Sequence, residues 1–335
     1  MESVIFSIFN GLLYGMLLFM LSSGLTLIFS MMGILNFAHA AFFMLGAYFA
    51  YYLTGGLSVV LGAAFGGSGG ELIGFLIALV VGPLLVGVIG GLVQRFGLRY
   101  VHRFGHVAEL LFTFGLFLLI EELVQMFFGK VGKNYEIPEL LKFTALSWGG
   151  LDYQFYRLFM LLVAVGIFVG LFLMMTRTRV GLIIRAALTH PHTAAQLGHN
   201  VPQVFMYTFA TGCALAGVAG VIGGNVLGTE PAMAVQLGPI VFVVIVIGGL
   251  GSLNGALVAS LFIGILNDLS ISQDWKFAAL FEWFGVDVAT AQGVMSDLVG
   301  LSTAKLAPVV PYLLLVLVLI FRPSGLLGTP EVEKV

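Results

Sequence analysis

Apolar residues run along this chain in stretches of about twenty, separated by short polar interruptions. Nine such stretches stand out, near 4–29, 37–54, 71–94, 107–128, 155–175, 204–228, 236–250, 254–269 and 308–321. A helix needs roughly 20 mostly apolar residues to cross a bilayer. The pattern therefore predicts an all-α polytopic membrane protein with about 8–9 transmembrane helices, organised as a single transmembrane domain over 1–335. The seventh and eighth stretches are short, and Gly248, Gly249 and Gly251 break the run between them. They read as half-helices or as one re-entrant pair. Composition agrees. Hydrophobic residues make up 60% of the chain and charged ones 9%, against about 25% charged in globular domains, and the mean hydropathy is +1.09. No basic segment precedes the first stretch, so no cleaved signal peptide is expected.

The longest basic interruption is Thr176–Gln203. It carries Arg177, Arg179, Arg185, His190, His192 and His199 and no Asp or Glu. Short basic loops lie on the cytoplasmic side. Nine spans put the termini on opposite sides, and one orientation gathers Arg95, Arg99, Arg103, Arg177, Arg179, Arg185, Arg322 and Lys334 inside, seven of the eight arginines. The N-terminus is then periplasmic and the C-terminus cytoplasmic. Two outer loops are long, 129–154 and the extended loop 270–307, which holds Trp275 and Trp283. The glycine-rich segment 62–74 reads as a flexible external connection.

Glycine recurs every four residues along the sixth span: Gly212, Ala216, Gly220, Gly224 and Gly228. Gly87 with Gly91 and Gly166 with Gly170 repeat the spacing. A helix face without side chains lets a neighbouring backbone approach closely. The lone cysteine, Cys213, excludes an intrachain disulfide and a cysteine-cluster metal site.

Polar groups at membrane depth are costly and so mark candidate sites. Asn36 and His39 fall where the first span ends, Asn225 on the glycine stripe and Asn254 between spans seven and eight; these four are the candidate lining of a translocation path. Capping of a broken helix end is the competing role for Asn36 and His39. The strings Gly33–Asn36 and Gly251–Asn254 share Gly-x-Leu-Asn, as an internal repeat or by chance. Glu109, Glu121 and Glu122 lie in or near the fourth span.

The chain lacks the chemistry of an enzyme. Gly129-Lys130 and Gly132-Lys133 are followed by Val131 and Asn134, so no phosphate-binding GxxxxGK[ST] loop is present. HExxH is absent. His190 and His192 flank Pro191, which suits a turn and not a helical metal pair. No GxSxG elbow within the apolar segments supports an intramembrane hydrolase. No catalytic and no metal residues are assigned, and any energy for transport must come from an ion gradient or another chain.

Four strings in order, NFAHAAFFMLGAY, GLIIRAALTHPHTAAQLGHNV, GGLGSLNGALVASLFIGIL and RPSGLLGTPEV, resemble the permease subunits of the bacterial high-affinity branched-chain amino-acid ABC importers. The likeness runs from about Asn10 to Val335. It implies an ABC importer permease architecture in the bacterial inner membrane, working by alternating access. The implied partners are cytoplasmic ABC ATPase subunits, a second permease subunit that is a paralogue or a second copy, and a periplasmic substrate-binding protein. ATP and Mg would be held by the ATPase, with no cofactor in this chain and no nucleic-acid partner. It further implies that 176–203 is a coupling loop docking on the ATPase through Gly181, Arg185, Ala186, Ala194 and Gly198. Small residues permit tight docking, and arginines pair with acids on a partner.

The chain departs from the family where Ala40 and Ala41 stand in place of a glycine and an acidic residue, and where 270–307 is longer than usual. The expected cargo is a branched-chain or related amino acid. Urea, short amides and aromatic or other organic acids are the alternatives within this architecture. An ion-coupled secondary transporter or a channel is the alternative class.

Overall fold

The computed structural model describes residues 2–148, 151–189, 191–274, 276 and 302–328. Each of the nine apolar stretches forms a helix. In chain order the elements are α1 Glu2–Met32, α2 His39–Phe65, α3 Gly67–Val93, α4 His106–Phe128, a hairpin of β1 Thr144–Trp148 and β2 Leu151–Gln154, α5 Phe155–Arg177, α6 Arg179–Thr189, α7 Pro191–Gln196, α8 Val201–Leu227, α9 Met233–Gly248, α10 Leu253–Gln273 and α11 Val310–Phe321. Seven helical stretches among the described residues are long and apolar enough to cross a membrane. Helix α9 has only 16 residues, and α4 carries Glu109, Glu121 and Glu122.

Helices suit this solvent because every backbone polar group is satisfied inside the segment. Two hydroxyls of α1 follow the same rule, while Ser7 bonds across to Ser272 of α10. Ser22 donates to the Phe19 carbonyl at 3.2 Å and Ser23 to that of Met20 at 2.7 Å. Both side chains are fully buried, and each is satisfied without leaving its own helix.

Helices α1, α2, α3, α8 and α10 form the packed body, and glycine sets how close they come. A Cβ on Gly46 of α2 would lie 2.5 Å from the Gly217 carbonyl oxygen of α8, and one on Gly15 of α1 would lie 2.7 Å from the Ser260 carbonyl oxygen of α10. Without hydrophobic drive between helices in lipid, such van der Waals contact is what binds them. The stripe on α8 runs from Gly212 to Gly224. Gly228 stands outside it, at φ 88° beyond the helix end, with open space around it. Gly166 and Gly170 also face open space.

Several expectations are corrected. Segment 62–74 is not a flexible loop: α2 and α3 meet at the single residue Gly66, φ 79°, and Gly70 packs on the backbone of Gly62. The eighth stretch is a full span of 21 residues. It is joined to α9 by a tight turn in which Gly249 and Gly251 take φ 100° and 83°, conformations that favour glycine. Loop 129–154 is structured by its hairpin and by Lys133, which pairs with Thr229. Trp275 and Trp283 lie outside the described residues.

Helix ends gather at two opposite faces. One holds 33–38, 94–105, the segment from Thr178 to Asn200, and 249–252, with Ser324–Gly328 folded onto Gly248 and Gly249. It carries the seven arginines grouped by the sequence. The other holds the Gly66 turn, the hairpin and Thr229. There Arg157 donates to Asn10 at 2.7 Å and the buried Tyr135 hydroxyl donates to the Val221 carbonyl at 3.1 Å. Burial pushes the Tyr135 phenol up. The exposed Glu136 carboxyl is held below its usual value by hydrogen bonds from Lys142 and Asn134.

Candidate functional site

An irregular break separates α1 from α2. Helix α1 stops at Met32, Gly33 takes φ 63°, and helix resumes only at His39, after six non-helical residues. Asn36 turns the chain back into helix. Its Oδ1 accepts from the Ala38 N–H at 3.1 Å, and its backbone carbonyl accepts from His39 N–H at 3.1 Å. His39 then sits in the first turn of α2, fully buried, with Nε2 2.9 Å from the Leu21 carbonyl of α1. The ring ties the two helices together across the break.

Both residues line a cavity of about 440 Å³. Its other walls come from α4, α9 and α11 and are almost entirely apolar. Phe37 stacks on Phe242 at 5.8 Å and meets Phe114 edge-on at 6.5 Å. Pro239 interrupts the hydrogen-bond ladder of α9 beside it. Two polar atoms at the site have no partner: Asn36 Nδ2 and His39 Nδ1. A buried polar atom without a partner costs about 1–3 kcal/mol, which makes these two atoms candidates for contact with a bound molecule.

The other two path candidates lie elsewhere. Asn225 is used structurally: its Nδ2 donates to the Tyr156 hydroxyl at 2.8 Å, which donates in turn to the Ile222 carbonyl at 2.8 Å. Asn254 is exposed in the first turn of α10, where the cap is Ser252, accepting from Gly255 N–H at 3.1 Å. The two Gly-x-Leu-Asn strings share a setting, since each starts at a positive-φ glycine on the same face and Gly251 packs against Ser30.

Below the cavity, on the arginine-bearing face, opens a vestibule of about 930 Å³ lined by Met32, Gly33, Gln94, Arg99 and Ala187, among others. His102 and His106 also border it, and both pair through Nδ1 with the buried carboxylate of Glu109. The pairing escaped sequence reasoning because His102 and Glu109 lie on opposite sides of the kink at Gly105, φ 88°. Among the described residues no group of His, Cys, Asp or Glu is placed to hold a metal ion.

The basic segment forms two short helices set by local chemistry. Thr178 closes α5 and starts α6, donating to the Met174 carbonyl at 2.6 Å and accepting from Gly181 N–H at 3.2 Å. Gly181 packs so tightly on Met174 and Met175 that a Cβ would overlap their carbonyl oxygens. Ile184 joins Leu27 and Met31 of α1 in one buried cluster. Arg185 and Ala186 are exposed, as are Val180 and Leu182. Ala194 is buried within the chain, and Gly198, φ 86°, ends α7. His190 and the side chain of His192 lie outside the described residues.

A family model described as "Branched-chain amino acid transport system / permease component" matches residues 7–319. The high-affinity branched-chain amino acid transport system permease protein BraD of Pseudomonas aeruginosa is 29% identical over 331 residues, 97% of this chain and 96% of that protein. The corresponding protein LivH of Escherichia coli is 28% identical over 344 residues, with 98% and 96% covered. A probable branched-chain amino acid transport permease protein LivH of Methanocaldococcus jannaschii is 24% identical over 301 residues, 89% of each chain. No solved structure matches. This multi-pass membrane chain therefore belongs to the family of permease components of branched-chain amino acid transport systems.

Proposed function

We propose that the chain is the membrane-spanning permease of an ATP-driven importer for aliphatic amino acids, with the cavity at the α1–α2 break on its conducting path. It works by alternating access in the bacterial inner membrane, beside a second permease subunit, two ABC ATPases and a periplasmic binding protein. ATP and magnesium belong to the ATPase chains. The arginine-bearing face is cytoplasmic, which sets the N-terminus outside and the C-terminus inside.

One observation carries this reading. Ile184 of α6 packs on Leu27 and Met31, the last turns of α1, immediately before the break whose Asn36 lines the cavity. An ATPase docked on the exposed side of α6, at Arg185, Ala186 and Leu182, would move the end of α1 directly. Gly181 and Thr178 make the α5–α6 joint stiff, so force is not lost in a slack linker. Gly198 serves to end α7, and Ala194 anchors α7 to the chain; the docking surface is the exposed side of α6. Asn225 and Asn254 drop out of the path in this reading, since neither borders the cavity.

Uptake of radiolabelled leucine by the reconstituted importer tests the path. Asn36→Leu and His39→Leu should each lower uptake at least tenfold while the complex still assembles. The lost hydrogen bond from Ala38 N–H to Asn36 Oδ1 costs only about 1 kcal/mol. Wild-type uptake by both variants would remove the cavity from the path.

A further inference from the structure

Two buried atoms on residues that line the cavity, Asn36 Nδ2 and His39 Nδ1, make no hydrogen bond to the described residues, and they differ in kind. Asn36 has committed its only acceptor, Oδ1, to the Ala38 N–H, so the free atom Nδ2 is a pure donor. His39 is the reverse. The Leu21 carbonyl can only accept, so Nε2 carries the proton that meets it. No acidic side chain lines the cavity to hold a second proton on the ring. In the neutral ring Nδ1 is then a bare acceptor, and it too lacks a partner. A donor and an acceptor thus stand three residues apart, with neither an acid nor an arginine among the lining residues. Such a site offers nothing to a ligand of net charge. It suits one that carries an anionic acceptor and a cationic donor on neighbouring atoms.

The apolar walls fix the remainder. Phe37, Phe114, Pro239 and Phe242 face the same space, and a volume of about 440 Å³ lies within the roughly 300–1,000 Å³ of small-molecule sites. Urea or a short amide would also present an acceptor beside a donor, and would leave those walls uncovered. An α-amino acid with an aliphatic side chain satisfies both atoms and covers the walls.

We infer that Asn36 and His39 read the two ends of the amino-acid backbone, Asn36 Nδ2 donating to the carboxylate and His39 Nδ1 accepting from the ammonium. The inference rests on the conducting role proposed for the cavity. It also accounts for Ala40 and Ala41: with the ammonium taken by a neutral nitrogen, no acid is required beside it.

The test separates recognition from capping. In the reconstituted importer with leucine-loaded binding protein, Asn36→Asp keeps the acceptor for Ala38 N–H, and Asp closes such side-chain turns as Asn does. It replaces the donor with a second anionic oxygen. Leucine uptake should fall at least tenfold, with an unchanged melting temperature showing that the fold survives. As a second arm, His39→Asn can set Oδ1 where Nδ1 stands, and should retain at least tenfold more uptake than His39→Leu. Wild-type uptake by Asn36→Asp overturns the inference, as does equal loss in His39→Asn and His39→Leu. If Asn36→Leu is then impaired, the path reading stands and recognition alone has failed. If Asn36→Leu is also normal, both fall.

Discussion

Replacing Gly220 with valine is expected to leave almost no folded permease in the membrane. Gly220 lies at the crossing of α8 and α2, where a Cβ would overlap the Phe43 carbonyl oxygen and sit 2.9 Å from the Ala47 nitrogen. Both obstacles are backbone, so no rotamer change relieves them, and the two helices must separate. Overpacking a core costs about 1–3 kcal/mol where side chains can shift; here the cost should reach the top of that range or exceed it, about 3 kcal/mol or more. Separation would also strip contact from Gly46, whose Cβ would lie 2.7 Å from Gly217 Cα. Gly166→Ala is the matched control. Its Cβ meets nothing within 4 Å, and glycine to alanine inside a helix stabilises by about 0.5–1 kcal/mol. Monodisperse yield in mild detergent and thermal unfolding read both variants. A normal melt for Gly220→Val would mean that the crossing of α8 and α2 is wrong.

The second large effect belongs to the arginine-bearing face. Arg185→Glu should abolish the stimulation of ATP hydrolysis by loaded binding protein and leave the permease folded. Arg185 is exposed, and its Nε donates to the Gly181 carbonyl at 3.3 Å, which aligns the guanidinium along α6. Exposed substitutions of this kind change stability by about 0.5 kcal/mol or less. Reversing a charge that meets an acid on the partner costs far more, about 2–5 kcal/mol when the pair is desolvated at the interface. The readout is ATPase activity of the assembled complex with and without loaded binding protein. Wild-type stimulation by the variant would leave α6 as a strut with no docking role.

Much of this was legible in the sequence, for a physical reason. In a bilayer the helix period is forced by backbone hydrogen bonding, so the apolar runs marked every span, and charge sorted the loops onto two faces. Asn36 and His39, conspicuous in the sequence as polar groups at membrane depth, both line the cavity at the α1–α2 break. Three kinds of feature were hidden. Gly11, Gly15 and Gly264 hold α1 to α10, but they pair across some 250 residues, and no local spacing reports that. Asn225 stands out in the sequence as a polar group on the glycine stripe; its Nδ2 partner, Tyr156, is 69 residues away, and its Oδ1 makes no hydrogen bond to the described residues. Ala194 reads as a small docking residue, whereas helix α7 turns it inward. The cavity's aromatic walls were invisible for a related reason. Phe37, Phe114 and Phe242 are three phenylalanines among 30, and only the packing of α4 and α9 around the α1–α2 break brings their rings together.

If the space beside Gly238 carries the substrate, a cysteine placed there will report each turn of the transport cycle. A Cβ on Gly238 would make only ordinary contact, 3.4 Å from Ala40 Cβ, and the native Cys213 is fully buried, so the background is silent toward a small water-soluble thiol reagent. In vesicles holding the complete importer, Gly238→Cys should react at a rate that differs at least fivefold between the nucleotide-free and ATP-bound states. Modification should stop leucine uptake in proportion to the label incorporated. Full labelling with uptake unchanged would contradict the account.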